Sequence, residues 1–323
     1  MRLRELVVVA AVPVLLAVAC GSGPGPELVT APAPSSSPAA TATPAATPVP
    51  TPTPMATPTP LPSPTPTPRR LCQSDPDAYA TRIGELEAAV AAALEGYRAT
   101  YGFALHDLDC DTVAIVNPDH AQYTASTGKL PFVIAALRAV QDGRLDMAAV
   151  EDDIVTVLHI SSDDAANRIV AKVPVEDVLD VLTIAGVSDQ TRFRDSWSNF
   201  NSTAVDLTKI WTALLRGELL DEERTELVLR LAAEADVDRA YETVWSHFDI
   251  PGLVFGQKVG HAVIFAPPYY LVGSGYLRPE SGVSAGFAVT LVIVSDSLDP
   301  QRKDVFPLVL DFAQEAFAEV APG

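Results

Sequence analysis

Two side chains three positions apart, Ser126 and Lys129 in the stretch Thr124-Ala125-Ser126-Thr127-Gly128-Lys129, are the pair in this chain best suited to covalent chemistry. The apolar run that follows, residues 130–140, reads as a helix. On a helix, positions i and i+3 share a face, which brings a hydroxyl and an amine within reach of each other. The positive end of the helix dipole favours a developing alkoxide. A lysine desolvated by apolar neighbours gives up its proton more readily and can serve as the base. Alone, Ser-x-x-Lys is a weak signal, because a capping serine followed by a solvated lysine has the same spelling.

Two further stretches carry polar groups of a kind that would complete such a site. Ser161-Ser162-Asp163, ahead of Ala165-Ala166-Asn167, offers a second hydroxyl and a carboxylate, although Ser and Asp at this place also read as an ordinary helix N-cap. Lys258-Val259-Gly260-His261 sets a cation, a glycine and a histidine on a strand-like run. Alone, a Lys-x-Gly on a strand is a very weak signal. His106, His120, His159 and His247 show no metal-ligand spacing, so no metal and no organic cofactor is expected. Trp197, Trp211 and Trp245 read as packing residues. With 22 Lys and Arg against 41 Asp and Glu, the net charge of −19 argues against nucleic acid as a partner, since phosphate binding needs a basic footprint.

The elements that must position these groups follow from periodicity. Residues 75–98 read as an amphipathic helix with Ile83, Leu86, Val90, Leu94 and Tyr97 on one stripe. Residues 101–108 and 112–116 read as strands around an Asp-rich turn that holds Cys110. Helices are expected at 126–141, 151–159, 175–185, 203–216 and 221–248, then strands at 253–264, 269–277 and 286–294, and a closing helix at 304–320. Two strands before the helical block and three after it imply one α+β sheet built from both ends of the chain. The terminal helices would pack on it, with the helical block as a second lobe and a ligand cleft between lobes.

The N-terminus reads as an export signal over residues 1–20: Arg2 and Arg4, an apolar run too short to span a bilayer, then Ala17-Val18-Ala19-Cys20. Small residues before a cysteine resemble a bacterial lipoprotein processing site, which implies a lipid on Cys20 and an extracytoplasmic, membrane-anchored protein. Ala17 stands where leucine is usual. Residues 21–70 form a Pro/Thr-rich tether that cannot bury a core and favours extended polyproline II. Folding signals start near Leu71, so the domain spans 71–323. In an oxidising compartment Cys72 and Cys110 are candidates for a disulfide that pins its start.

Taken in order, Ser126–Lys129, Ser161–Asp163 and Lys258–Gly260, with this alternation of strands and helices, resemble the class A β-lactamases and penicillin-recognising serine enzymes, whose motifs are Ser-x-x-Lys, Ser-Asp-Asn and Lys-Thr-Gly. The resemblance covers roughly residues 75–320. It implies a β-lactamase-like fold with a five-stranded antiparallel sheet. Ser126 would be the acylated nucleophile and Lys129 would help remove its proton, while Ser161 would relay a proton to the leaving amine. Asp163, Lys258, Gly260 and His261 would line the substrate, Lys258 keeping the cleft positive for an anion and Gly260 letting the substrate lie against the strand edge, and the oxyanion hole would be the backbone N–H groups of Ser126 and His261. The substrate would be a β-lactam or a peptidoglycan-type peptide.

Three departures stand out. Asp163 replaces an asparagine, and an ionised carboxylate only accepts hydrogen bonds. A rival register, Ser162-Asp163-Asp164, also puts an aspartate third. Val259 replaces a threonine, removing a hydroxyl expected to bind a substrate carboxylate. The segment 191–201 holds no glutamate to activate a deacylating water; Asp195 is its one carboxylate. The resemblance therefore implies a serine hydrolase that acylates and then deacylates slowly. The alternative is a domain of the same fold that has lost catalysis and serves as a cell-envelope binding or scaffold module.

Overall fold

The computed structural model describes residues 70–95, 99–235, 251–263, 268–282, 284–296 and 305–318. The expected export signal, Cys20, the tether before Arg70, and Trp245 and His247 lie outside the described residues. The chain divides into two units, Met1–Ser63 and Pro64–Gly323, and everything below concerns the second.

A short helix α1 (Leu71–Ser74) leads into α2 (Pro76–Glu95), whose buried stripe is Tyr79, Ile83, Leu86, Val90 and Leu94. Strands β1 (Ala99–Asp107) and β2 (Thr112–Val116) follow as an antiparallel pair, then β3 (Gln122–Tyr123). The middle of the chain holds α3 (Lys129–Gln141), α4 (Glu151–Ile160), α5 (Asp163–Val170), α6 (Val175–Ile184), β4 (Arg192–Phe193), β5 (Phe200–Ser202), α7 (Ala204–Leu215) and α8 (Glu222–Ala233). Strands β6 (Leu253–Val263), β7 (Tyr269–Pro279) and β8 (Phe287–Ser295) and helix α9 (Val305–Ala318) close it.

The five long strands form one antiparallel sheet in the order β2-β1-β8-β7-β6. The early and late parts of the chain join where β1 pairs with β8, Ala99 opposite Ser295 through Asp107 opposite Phe287. This is the α+β architecture expected from the strand pattern. Side-chain alternation assigns the two faces. Phe103, Leu105, Val289, Leu291 and Ile293 face a core closed by α2 and α9. Ala104, Val272, Tyr276, Ala288 and Val292 face the helical lobe, whose core is built on α3 and α7. Small residues on that second face let α7 lie close against β1 and β8.

The start of the described domain is pinned more firmly than composition suggests. Arg70, counted with the tether in the sequence, is buried, and its Nη1 and Nη2 donate to both oxygens of Asp107 at 2.8 and 2.6 Å. Cys72 and Cys110 form a disulfide across the same corner.

Elsewhere the elements differ from the expectation. The helix expected over 221–248 is described as Glu222–Ala233, capped by Asp221, whose side chain accepts from Arg224 N at 3.0 Å; residues 236–250 lie outside the description. A second sheet, β3-β5-β4, was not foreseen, because strands of two or three residues leave no periodicity to read. It holds the 191–203 segment beside the residues that precede Ser126.

Candidate active site

The local geometry at Ser126 starts with a tight turn. Ala125–Gly128 is a 3-10 turn, and α3 continues directly from Lys129. Ser126 thus sits in the turn that opens the helix rather than in the α-helix itself, and three residues per turn set it in line with Lys129. The turn is clamped on two sides. Thr124 donates from both its N–H and its hydroxyl to the Phe200 carbonyl, each at 3.0 Å. The Thr127 hydroxyl closes the turn on the Thr124 carbonyl at 2.7 Å. On one side a side chain at Gly128 would stand 2.6 Å from the Trp197 carbonyl oxygen. On the other, a side chain at Gly260 of β6 would stand 2.3 Å from the Thr124 carbonyl oxygen. The sequence suggested that Gly260 makes room for substrate; the space it leaves is taken by the Ser126 turn.

Backbone conformation marks the same place. Among the described residues, four other than glycine have positive φ. Asp111 and Asn117 are turn residues of the type that tolerates it. Ala125 (φ 50°) and Ser161 (φ 58°) are not, and each costs about 1 kcal/mol. One immediately precedes the candidate nucleophile and the other carries the second hydroxyl.

Lys129 and Lys258 are the two cations of the site, and both are buried. The Lys129 amine donates to the Ser161 carbonyl and to Asp163 Oδ1, each at 2.5 Å, and lies 4.3 Å from the centre of the Trp197 ring. The Lys258 amine donates to Ser161 Oγ at 2.7 Å and to the Val259 carbonyl at 3.0 Å. Ser161 therefore bridges the two lysines, through its carbonyl to one and its hydroxyl to the other. Ser162 instead caps α5, its hydroxyl accepting from Ala165 N at 3.3 Å, so the two neighbouring serines divide the two roles that the sequence left open. Among the described residues the Ser126 hydroxyl makes no hydrogen bond, and the side chain is partly exposed.

Burial lowers the Lys129 amine from its ordinary range, against the opposing hydrogen bond and charge of Asp163. Lys258 is held well below its ordinary range, first by burial and then by the nearby charge of Lys129. Tyr123, at the end of β3, is pushed up by burial and by the Asp163 carboxylate. The Lys129 side chain is 0% exposed and that of Asp163 is 67% exposed, so the carboxylate forms the mouth of the cluster. Asp163 thus has a specific partner in Lys129, where the sequence offered it only to substrate.

His261 is half-buried on β6, opposite Leu271, one residue past Gly260. Asp195 is turned outward and accepts from Asn199 Nδ2 at 2.8 Å, on an exposed surface. Trp197 has a larger part than the packing role the sequence gave it. Besides its contact with Lys129, its Nε1–H donates to Asn167 Oδ1 at 3.0 Å. A lone aromatic in an otherwise polar loop was the one available hint. Among the described residues no cluster of three or more His, Cys, Asp or Glu is arranged to hold a metal, and no helix is long and apolar enough to cross a membrane.

Comparison with known proteins bears on the fold. A family model described as the β-lactamase enzyme family matches residues 85–150, which include β1, β2, the Ser126 turn and α3. A search of curated proteins gives no match. Among solved structures, a β-lactamase from Sphaerobacter thermophilus is similar at 20% identity and a TM-score of 0.58, over 74% of this chain and 99% of that one. The chromosome-encoded β-lactamase of Vibrio parahaemolyticus is similar at 14% identity and a TM-score of 0.61, over 71% and 99%. A mutant of PBP-A, solved as an acyl-enzyme complex with penicillin G, is similar at 14% identity and a TM-score of 0.58, over 79% and 100%. At these identities the likeness to solved structures is one of fold, a β-lactamase-like fold, and the family match adds a local similarity to the β-lactamase enzyme family over the Ser126 region.

Proposed function

We propose that the chain is an exported serine hydrolase of the β-lactamase kind, which forms an acyl-enzyme on Ser126 with a β-lactam or a cell-wall peptide and releases it slowly. The single observation that carries this reading is the arrangement of two buried amines about Ser161, next to the clamped turn that presents a partly exposed Ser126 hydroxyl.

In the first step Ser126 Oγ bonds to the amide carbon. The backbone N–H groups of Ser126 and His261 take the developing oxyanion. A lowered lysine amine receives the hydroxyl proton, and the Ser161 hydroxyl passes a proton to the departing nitrogen as the C–N bond breaks. Lys129 is the nearer amine in sequence, and Lys258 is bonded to the Ser161 hydroxyl itself. In the second step water must attack the ester, and this needs a base. The loop carboxylate, Asp195, is bonded to Asn199 at the surface, which supports slow deacylation. Export through residues 1–20 and anchoring through a lipid on Cys20 remain part of the proposal on the strength of the sequence, and they suit a substrate outside the cytoplasm.

The test is incubation of the purified protein with a labelled penicillin, with Ser126→Ala as control. A covalent adduct on the wild type that persists for minutes or longer, and is missing from the variant, is the expected result. An adduct that forms equally on the variant overturns the assignment of Ser126. No adduct with either protein removes the penicillin reading.

A further inference from the structure

The strongest unassigned contact in the site belongs to Trp197. It lies on the 3-10 turn Trp197–Asn199 and is buried. Three separate contacts fix it. Its ring stands 4.3 Å from the Lys129 amine, its Nε1–H is held by Asn167 on α5, and its carbonyl fills the space that a side chain at Gly128 would need. The Lys129 amine consequently has two polar contacts and one aromatic one, and its side chain has no exposed surface. A ring face attracts an ammonium but offers a water molecule no strong hydrogen-bond partner.

Resting on the acyl-transfer reading above, we propose that Trp197 is a positioning residue for the reaction at Ser126, holding the Lys129 amine in place and keeping water away from the ester formed there. Hydrolysis of that ester requires a water oxygen to bond to the acyl carbon. The carbon–oxygen bond to Ser126 breaks, and the water proton passes through a base to the serine oxygen. Lys129 is an amine available for that transfer, and Trp197 occupies space beside it. The same ring that steadies the amine for acylation therefore protects the product.

The charged groups facing Lys129 are Asp163 on α5 and Lys258 on β6, with the Tyr123 phenol facing Asp163. A ring that stabilises the ammonium raises the pH at which the amine becomes neutral. Removing the ring lowers it, so the acid limb of the acylation rate moves down. A loss at the lower end of the cation–π range corresponds to a shift of about 0.4 to 0.7 pH unit.

Three variants of the full protein separate this from a merely structural role. Trp197→Phe keeps a ring over the amine and gives up the bond to Asn167; its adduct half-life with a fluorescent penicillin should stay within about threefold of wild type. Trp197→Leu keeps bulk without the ring face and should move the acid limb down by about half a unit or more. Trp197→Ala opens the space and should shorten the half-life by about tenfold or more. A wild-type adduct whose half-life and acid limb are the same in the Ala and Leu variants overturns the proposal and leaves the acyl-transfer reading standing. No wild-type adduct at all removes both.

Discussion

Two buried polar clusters in this domain are built on opposite principles. At the start of the described domain, the Arg70 guanidinium is shared between Asp107 and Asp109 and also lies 5.4 Å from the centre of the Phe287 ring. Asp107 accepts in addition from the Tyr79 hydroxyl and from the N–H groups of Asp109 and Cys110. Opposite charges meet there, and hydrogen bonds take up the remaining lone pairs. At the candidate site two buried amines have one carboxylate near them, bonded to Lys129 alone and largely exposed. Charge there does not balance, and both amines are pushed toward the neutral form. The comparison distinguishes a cluster whose charges are matched from one whose amines are left short of charge partners.

The largest effect expected from this contrast is on stability. Arg70→Ala leaves Asp107 buried without its cation, and breaking such a pair costs about 3–5 kcal/mol. For a domain of this size that is a fall of roughly 10 °C in melting temperature. Adduct formation per folded molecule should not change. A melting temperature within a degree or two of wild type would show that Tyr79 and the N–H groups suffice for Asp107, and the two clusters would then be less different than their charge suggests.

Lys258→Met sharpens the same contrast from the other side. It removes a buried amine that has no carboxylate of its own among the described residues, its two partners there being the Ser161 hydroxyl and the Val259 carbonyl. Exchanging such a group for an apolar one of similar volume is neutral or stabilising in many proteins. Adduct formation, by contrast, should slow by about 100-fold, as expected for loss of a proton-transfer partner. Calorimetry and adduct kinetics on one preparation give both readings. A loss of stability as large as that of Arg70→Ala would mean that Lys258 is structural.

A third test uses pH. The folded value of Lys258 lies well below its ordinary value of 10.5. Between those two values the unfolded chain binds a proton that the folded chain does not, so this lysine makes stability rise with pH across that window. The slope contributed is at most about 1.4 kcal/mol per pH unit. Urea midpoints of the wild type should rise with pH, relative to those of Lys258→Met, in the range just below 10.5. Parallel curves would mean that Lys258 is protonated in the folded state throughout.

The contrast also explains what could be read from the chain. The five long strands were legible because each carries enough residues to show alternation or a continuous apolar run, and the Cys72–Cys110 pairing followed from compartment and position. The small sheet was not, because its strands exist through tertiary contacts, such as Gln122 Nε2 donating to the Leu271 and Ile293 carbonyls. The site's residue types were legible from motif order, but their partners were not. That Lys129 meets Asp163 and Trp197, or that Arg70 meets Asp107, depends on segments more than 30 residues apart.

The smallest expected effect comes from the residue that joins the site to solvent. Asp163→Asn removes the charge that opposes the lowering of the Lys129 amine. Because the carboxylate is largely exposed, the pair is screened, and stability should change by less than about 1 kcal/mol. Its effect on chemistry has a definite sign. Without the carboxylate the amine falls further below its ordinary range, and more of it is neutral near pH 7. An amide at this position also regains a donor for a substrate carbonyl. Both changes favour attack by Ser126, so penicillin adduct formation should become a few-fold faster, by about 3–10 times on the scale of one hydrogen bond to a neutral group. Rates measured against pH separate the two contributions: a lowered acid limb belongs to the amine, and a uniform gain at all pH values belongs to the new donor. A slower reaction would mean that Asp163 is needed to hold Lys129 in place, and the imbalance of charge at this site would then be a condition of its geometry.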